Sequence, residues 1–429
     1  MLPAPTLPVE IVTLIIMYWE ANAFHFAVDG YNSADNRFLH QTSVKSLLSL
    51  RLLGRSWADA IPPFVYKSLH LQSPWAHSYM SDLWAKGVVT SSFPGFHLRR
   101  LALDRVMYLP EFDPVCLYES TEDRLFRKLE LEYKHYNTKS IFMKDTTGII
   151  SLCGLSLTDL KLSFTSAVGF SNNLALAIRG VDNLKTFFVE GDKKHNIMNN
   201  ANSLISILNH TNQLESLLLK FGTLSSLTLR TGALPKLMHF WVTLHCKNIS
   251  AVKNFCQAPG RQIKLLEFSP TIYMSDSEAI ISSMKDTLGG LFIEKMPDHM
   301  PDRLRYTRFP SLRVFRSMYV NATFQRPNWF NWHFFETVSV FITSYAKSGA
   351  YWRKLLEEVA DIKFPPRLKH FIFITGHETV VLGGNLVDLF KRFGIRCQFK
   401  SQLRYTQVLA SINYFEQDAA NGKGKQRTR

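Results

Sequence analysis

The amino-acid sequence predicts an α/β solenoid curved into a horseshoe: short parallel strands in succession along its concave face, each followed by a mostly helical return on the convex face, with a small helical module ahead of them. Three observations predict it. A phrase of the form Leu-x-x-Leu-x-Leu recurs at Leu98-x-x-Leu101-x-Leu103, Phe126-x-x-Leu129-x-Leu131, Leu157-x-x-Leu160-x-Leu162, Leu184-x-x-Phe187-x-Val189 and Leu214-x-x-Leu217-x-Leu219. It continues at Leu237-x-x-Phe240-x-Val242, Ile263-x-x-Leu266-x-Phe268, Leu288-x-x-Leu291-x-Ile293, Leu312-x-x-Phe315 and, after a gap, Leu368-x-x-Phe371-x-Phe373. The starts from 98 to 312 are separated by 28, 31, 27, 30, 23, 26, 25 and 24 residues, close to the repeat of about 20–29 residues of leucine-rich solenoids. Hydrophobic residues make up 46% of 429, enough for a large core, and in a solenoid each unit buries its apolar side against its neighbours.

The elements follow in order. Ile11, Leu14, Ile15 and Tyr18 recur at helical spacing behind Pro8. Residues 22–43 form a polar insert. A second helix runs through Leu47, Leu50 and Leu53, and a third starts at Ser56-Trp57-Ala58 and must stop at Pro62-Pro63. Phe64, Tyr66, Leu69 and Leu71 alternate like a first strand. Within each repeat the phrase is a strand with its leucines in the core, and stretches such as 200–208 and 277–284 read as helical returns, the second halted by Gly289-Gly290. A competing phrase, Leu224-x-x-Leu227-x-Leu229, leaves the count at about nine to eleven. The division expected is a helical module over 1–65, repeats over 66–405 with an aromatic, two-helix insertion at 321–365, and a polar, basic tail over 406–429. Near the end, a helix at Leu386–Phe393 is stopped by Gly394, and a last strand covers Ile395–Phe399.

The net charge of +15 favours acidic partners on encounter, yet no run of five basic residues occurs. Basic and aromatic residues interleave at Arg303–Phe309 and Arg326–Trp332, but without clustering on one element, so nucleic acid is an unlikely partner. The aromatic stretch at 327–335 reads either as packing or as an additional partner contact. Five cysteines with no Cys-x-x-Cys suggest reduced, buried thiols and an intracellular place, cytoplasmic or nuclear. The apolar stretch after Glu10 is too short to cross a bilayer, and the first residues do not read as a secretory signal.

No phosphate-binding, dinucleotide or zinc-protease motif occurs, and His239, His245 and Cys246 are not joined by further ligands. The expectation is therefore no enzyme, no metal and no cofactor. Outward positions on the strands, namely Glu130, Glu132, Lys161, Lys185, Glu215, Ser216, Arg230 and Glu267, would line a concave surface that binds a protein substrate.

Two stretches resemble an F-box in the form common in fungal proteins: Leu7-Pro8-Val9-Glu10-Ile11-Val12 before a helix, and Leu47-Leu48-Ser49-Leu50-Arg51-Leu52-Leu53 leading to Trp57. The insert at 22–43 departs from the compact form of that module. The resemblance implies a substrate receptor of a Skp1–cullin–F-box ubiquitin ligase. Leu7, Pro8, Ile11, Leu14, Ile15, Leu47, Leu50 and Trp57 would then form or support the contact with a Skp1-like adaptor and, through it, cullin. The alternative is a non-enzymatic interaction scaffold with an N-terminal cap; a nucleic-acid-binding protein comes last.

Overall fold

The computed structural model describes residues 7–22, 25–26, 33, 38–39, 41–73, 98–107, 140–165, 168–191, 198, 201–222, 224, 226–245, 247–270, 274–296, 301–319, 328–359, 362–376 and 384–426. Glu130 and Glu132, the phrase at 126–131, most of the 22–43 insert, Cys116, Cys246, Asn321 and residues 321–327 lie outside them. The chain divides into two compact units: residues 1–26 with 36–214, and 27–35 with 215–429.

Unit 1 opens with four helices, α1 Val9–Asn22, α2 Gln41–Leu50, α3 Arg55–Ala60 and α4 Pro62–Val65. Val12 and Ile16 on α1 meet Leu47, Ala60, Ile61 and Val65 in a core of their own, with Leu50 and Trp57 packed at its edge. A two-residue antiparallel pair joins β1 His25–Phe26 to β2 Phe38–Leu39. The helices then run straight into a parallel sheet: β3 Ser68–Leu71, β4 Arg100–Met107, β6 Asp159–Phe164 and β7 Thr186–Glu190 pair in that order, and β5 Ile141–Phe142 pairs with β4. Helices α5 Met143–Cys153, α6 Asn172–Arg179 and α7 Ala201–Leu208 are the returns. Ser171 caps α6 by accepting a hydrogen bond from the Leu174 amide at 3.2 Å, which satisfies one of the free first-turn donors.

Among its described residues unit 2 carries eight strands: β8 Ser216–Lys220, β9 His239–Leu244, β10 Leu265–Pro270, β11 Gly290–Lys295, β12 Val314–Tyr319, β13 Val340–Ser344, β14 His370–Ile374 and β15 Arg396–Lys400. All neighbours pair in parallel, with Leu217, Phe240, Leu266, Leu291, Phe315, Phe341, Phe371 and Cys397 in register. Each recurring phrase within unit 2 therefore supplies one strand, except Leu224–Leu229, whose described residues make none. The returns are uneven: α8 Ile249–Gln257, α9 Met274–Ser283, the short α10 Asp302–Tyr306, a pair of 3-10 turns at 328–335, α11 Tyr345–Glu358 and α12 Gly384–Lys391. Gly394, at φ 71°, follows α12 in the left-handed conformation that ends helices without a Cβ penalty. The spacing of Val338, Phe341, Ile342 and Tyr345 predicted a helix, but Val340–Ser344 is a fully buried strand between β12 and β14. A short apolar run buried on both faces carries no periodicity that would separate the two.

The horseshoe expected from the repeats is corrected by the structure. Within each unit the strands bond in chain order as an open parallel sheet with helices flanking it. Within unit 2 the reason is visible in the packing. The face that a horseshoe leaves open is covered by the final helix, α13 Tyr405–Gln426. Leu265, Phe292, Val314, Val340, Ile342, Ile372 and Ile374 point at Tyr405, Val408, Leu409, Ile412 and Phe415 in one buried cluster. A Cβ on Gly290 would stand 2.7 Å from Leu265 and 3.2 Å from Ile412, so the bare glycine permits this close approach. Unit 2 is thus a parallel sheet sealed on both faces, and its strands read as near-continuous apolar runs for that reason. The F-box resemblance is corrected as well: α1 to α4 share one compact unit with the sheet they feed, and do not stand as such a module. Among the described residues no helix is long and apolar enough to cross a membrane.

Candidate functional site

The most concentrated chemistry among the described residues sits in unit 2, on the strand face beneath α13. Ser216 opens β8 and His239 opens β9, and the parallel register sets them side by side. Leu265 is the register partner of His239 on β10, and Glu267 follows two residues later on the same face. Arg316 on β12 is in register with Phe292, which is in register with Glu267. Its guanidinium lies over the Phe292 ring, 4.1 Å from the centroid, and reaches across it to the Glu267 carboxylate. From far away in sequence, Ser33 drops its hydroxyl onto the same carboxylate.

The His239 ring is the hub. Its Nδ1 is 2.8 Å from Ser216 Oγ. Its Nε2 is 3.4 Å from Glu267 Oε2 and 3.3 Å from Ser33 Oγ. An ionised carboxylate can only accept, so Nε2 carries the proton and Nδ1 accepts from the Ser216 hydroxyl. Tyr405 stacks on the ring with centroids 5.2 Å apart and planes 16° apart, and its backbone amide donates to the Ser33 carbonyl at 2.6 Å. Ser33, Ser216 and His239 are 0% exposed, and Glu267 and Arg316 are nearly so. Burial pushes the Glu267 pKa up, but Arg316, His239 and Ser33 together outweigh it and hold the carboxyl below its ordinary value.

This convergence corrects the expectation of no enzyme. A histidine between a hydroxyl on one ring nitrogen and a carboxylate on the other resembles a catalytic triad. It also corrects the adaptor reading, which rested on a horseshoe and an F-box that the fold does not present. Of the residues involved, Ser216 and Glu267 were expected as outward, substrate-facing positions. They do share a strand face, but α13 buries it. His239 was noted only beside Cys246, Ser33 lay in a polar insert, and Arg316 carried no signal. The detectable clue was apolar residues at both parities of the later strands, which means two covered faces.

The remaining expected positions are dispersed. Lys161 is buried on β6, 3.6 Å from Glu190 and over the Phe188 ring. Lys185 and Glu215 precede β7 and β8, and Arg230 lies in the strandless stretch before β9. Leu7 and Pro8, just ahead of α1, and Ile11, Leu14 and Ile15 on it are exposed, Leu47 is buried in the helical core, and Leu50 and Trp57 are partly buried. A second His–carboxylate pair occurs in unit 1: His70 Nε2 is 2.6 Å from Asp104 Oδ2, with side chains 11% and 23% exposed. No group of three or more His, Cys, Asp or Glu side chains that could hold a metal exists among the described residues. No family model matches the chain, and no curated protein matches it.

Proposed function

We propose that unit 2 is a Ser–His–Glu acyl-transfer centre acting on ester or amide substrates, kept closed by Ser33 and α13. One observation carries this reading: the His239 ring bridges the Ser216 hydroxyl on Nδ1 and the Glu267 carboxylate on Nε2. Ser216 Oγ would form the bond to the substrate carbonyl while its proton passes to Nδ1. Glu267 would stabilise the resulting imidazolium, which returns the proton to the leaving group as that bond breaks. Water would then hydrolyse the acyl-serine by the same route. With Ser216 and His239 fully buried, access requires Tyr405 and Ser33 to swing away. The three described free cysteines, Cys153, Cys256 and Cys397, support a reducing, intracellular setting.

A second reading is favoured by the complete burial and by Arg316 neutralising Glu267: the network is a polar clamp that fastens Ser33 and α13 to the sheet. Labelling the folded full-length chain with a fluorophosphonate probe separates the two. The acyl-transfer reading expects labelling at Ser216, lost in Ser216→Ala and slowed about 10²–10⁴-fold in His239→Gln, whereas Ser33→Ala labels at least as fast as the wild type. An unlabelled folded protein, or labelling that survives Ser216→Ala, sinks acyl transfer and leaves the clamp.

A further inference from the structure

Independently of the His239 centre, unit 2 carries an exposed cation–aromatic platform built from two segments that are apart in sequence. Leu304 and Phe309 are buried and anchor the segment 302–309, while Phe334 and Phe335 are buried and anchor the 3-10 turns. Phe309 and Phe334 meet edge to face at 4.9 Å, which locks the two together. Their polar residues are left outside. The Arg305 guanidinium lies 5.3 Å from the Tyr306 ring centroid and 6.0 Å from that of Trp332. Arg303 is exposed beside it, and Tyr306 is 63% exposed. Arg308 is bound through two 2.9 Å hydrogen bonds to Glu336.

We propose that this platform docks an acidic peptide segment of a partner protein, with Arg305 taking a carboxylate and Tyr306 and Trp332 taking apolar or aromatic side chains. The physical case has three parts. A guanidinium resting on aromatic rings keeps its N–H edge for a carboxylate and has less rotamer freedom to lose on binding. Tyr, Trp and Arg are the side chains that dominate binding energy at protein interfaces. The net charge of +15 speeds the encounter with an acidic partner. A peptide fits better than a polynucleotide, because Asp302 and Glu336 interrupt the positive surface and would repel an unbroken phosphate chain.

Fluorescence anisotropy on the full chain tests this, with a labelled peptide of about 15 residues alternating Glu, Tyr and Gly. The expected result is binding that weakens with salt and drops about tenfold or more in Arg305→Gln and in Tyr306→Ala. Lys354→Gln removes an equal charge from an exposed position on α11 and should leave affinity within about twofold. Absence of peptide binding, an equal loss in Lys354→Gln, or tighter binding of an oligothymidylate of about 20 nucleotides would each overturn the proposal, the last in favour of a nucleic-acid surface. All three changes sit on exposed side chains, and a thermal melt of each variant checks that it is folded.

Discussion

Two His–carboxylate networks stand on the same strand face of their respective units, and water treats them differently. In unit 1, His70, Ala102, Lys161 and Phe188 are in register across β3, β4, β6 and β7. Asp104 bonds His70 at 2.6 Å, Lys161 pairs with Glu190 at 3.6 Å, and both carboxylates remain about a quarter exposed. In unit 2, Ser216, His239, Glu267 and Arg316 are spread over four strands in the same manner, yet Tyr405 and Ser33 seal them completely. The chemistry of the partners is similar; the difference is whether solvent can replace a lost one. A quarter-exposed carboxylate that loses its cation turns to water. A sealed one has nowhere to turn, so its partners become obligatory.

The comparison is sharpest when one cation is removed from each network. Arg316→Leu strips the Glu267 carboxylate of its cation in a dry site, leaving only the Ser33 and His239 bonds, and should cost about 3–5 kcal/mol. Lys161→Leu removes the matching cation of unit 1 and should cost about 1 kcal/mol or less, since Glu190 keeps contact with water. Urea unfolding of both variants measures the gap; equal costs would mean that sealing does not govern these networks.

Acid titration gives a smaller, graded version. Burial raises the Asp104 pKa, and the His70 hydrogen bond and charge, with Lys161 and Ser163, bring it below its ordinary value of 3.8. Glu267 likewise lies below its ordinary 4.5. A depressed carboxyl contributes stability that is fully present above its unfolded pKa and is lost as pH falls through the folded one. Stability should thus hold down to the ordinary carboxylate range and decline below it. Glu267→Gln should flatten the decline more than Asp104→Asn does, as read from melting temperatures taken from neutral pH down to about pH 2. A larger flattening from Asp104→Asn would reverse the ranking of the two sites.

The smallest expected effect concerns how unit 1 aims its carboxylate. Arg105 has φ 62°, at the irregularity between Leu103 and Val106 where the pairing of β4 with β6 shifts register. Asp104 lies inside this irregularity, which re-aims the strand there. The left-handed conformation costs a non-glycine residue about 1–2 kcal/mol, so Arg105→Gly should gain up to about 1 kcal/mol after the glycine's own entropy. A loss of stability in a thermal melt would show instead that the Arg105 side chain supports the network.

Much of the strand layout was legible locally, because a core-facing leucine phrase repeats within the reach of one strand and its return. Leu160, Leu217 and Leu291 are buried on parallel strands, as the phrase requires. Helix stops were legible too, for Gly394 needs only its own φ to act. The site was not. Ser33 and Glu267 are separated by 234 residues, and no local pattern relates them. Glu267 read as a solvated strand position because a polar residue between apolar neighbours, here Leu266 and Phe268, ordinarily faces water, and Ser216 read so because it precedes the core-facing Leu217.

What the sequence determined by itself was the succession of strands and returns and which alternate residues enter the first core layer. Both follow from periodicity and from burying apolar area near in sequence. Only the tertiary structure decided what lies on the other face. Once α13 settles on β10 to β14, the strand positions beneath it, Glu267 and Arg316 among them, are shut away from solvent. The polar ones among them must then find each other, because a buried polar group without a partner is too costly to leave.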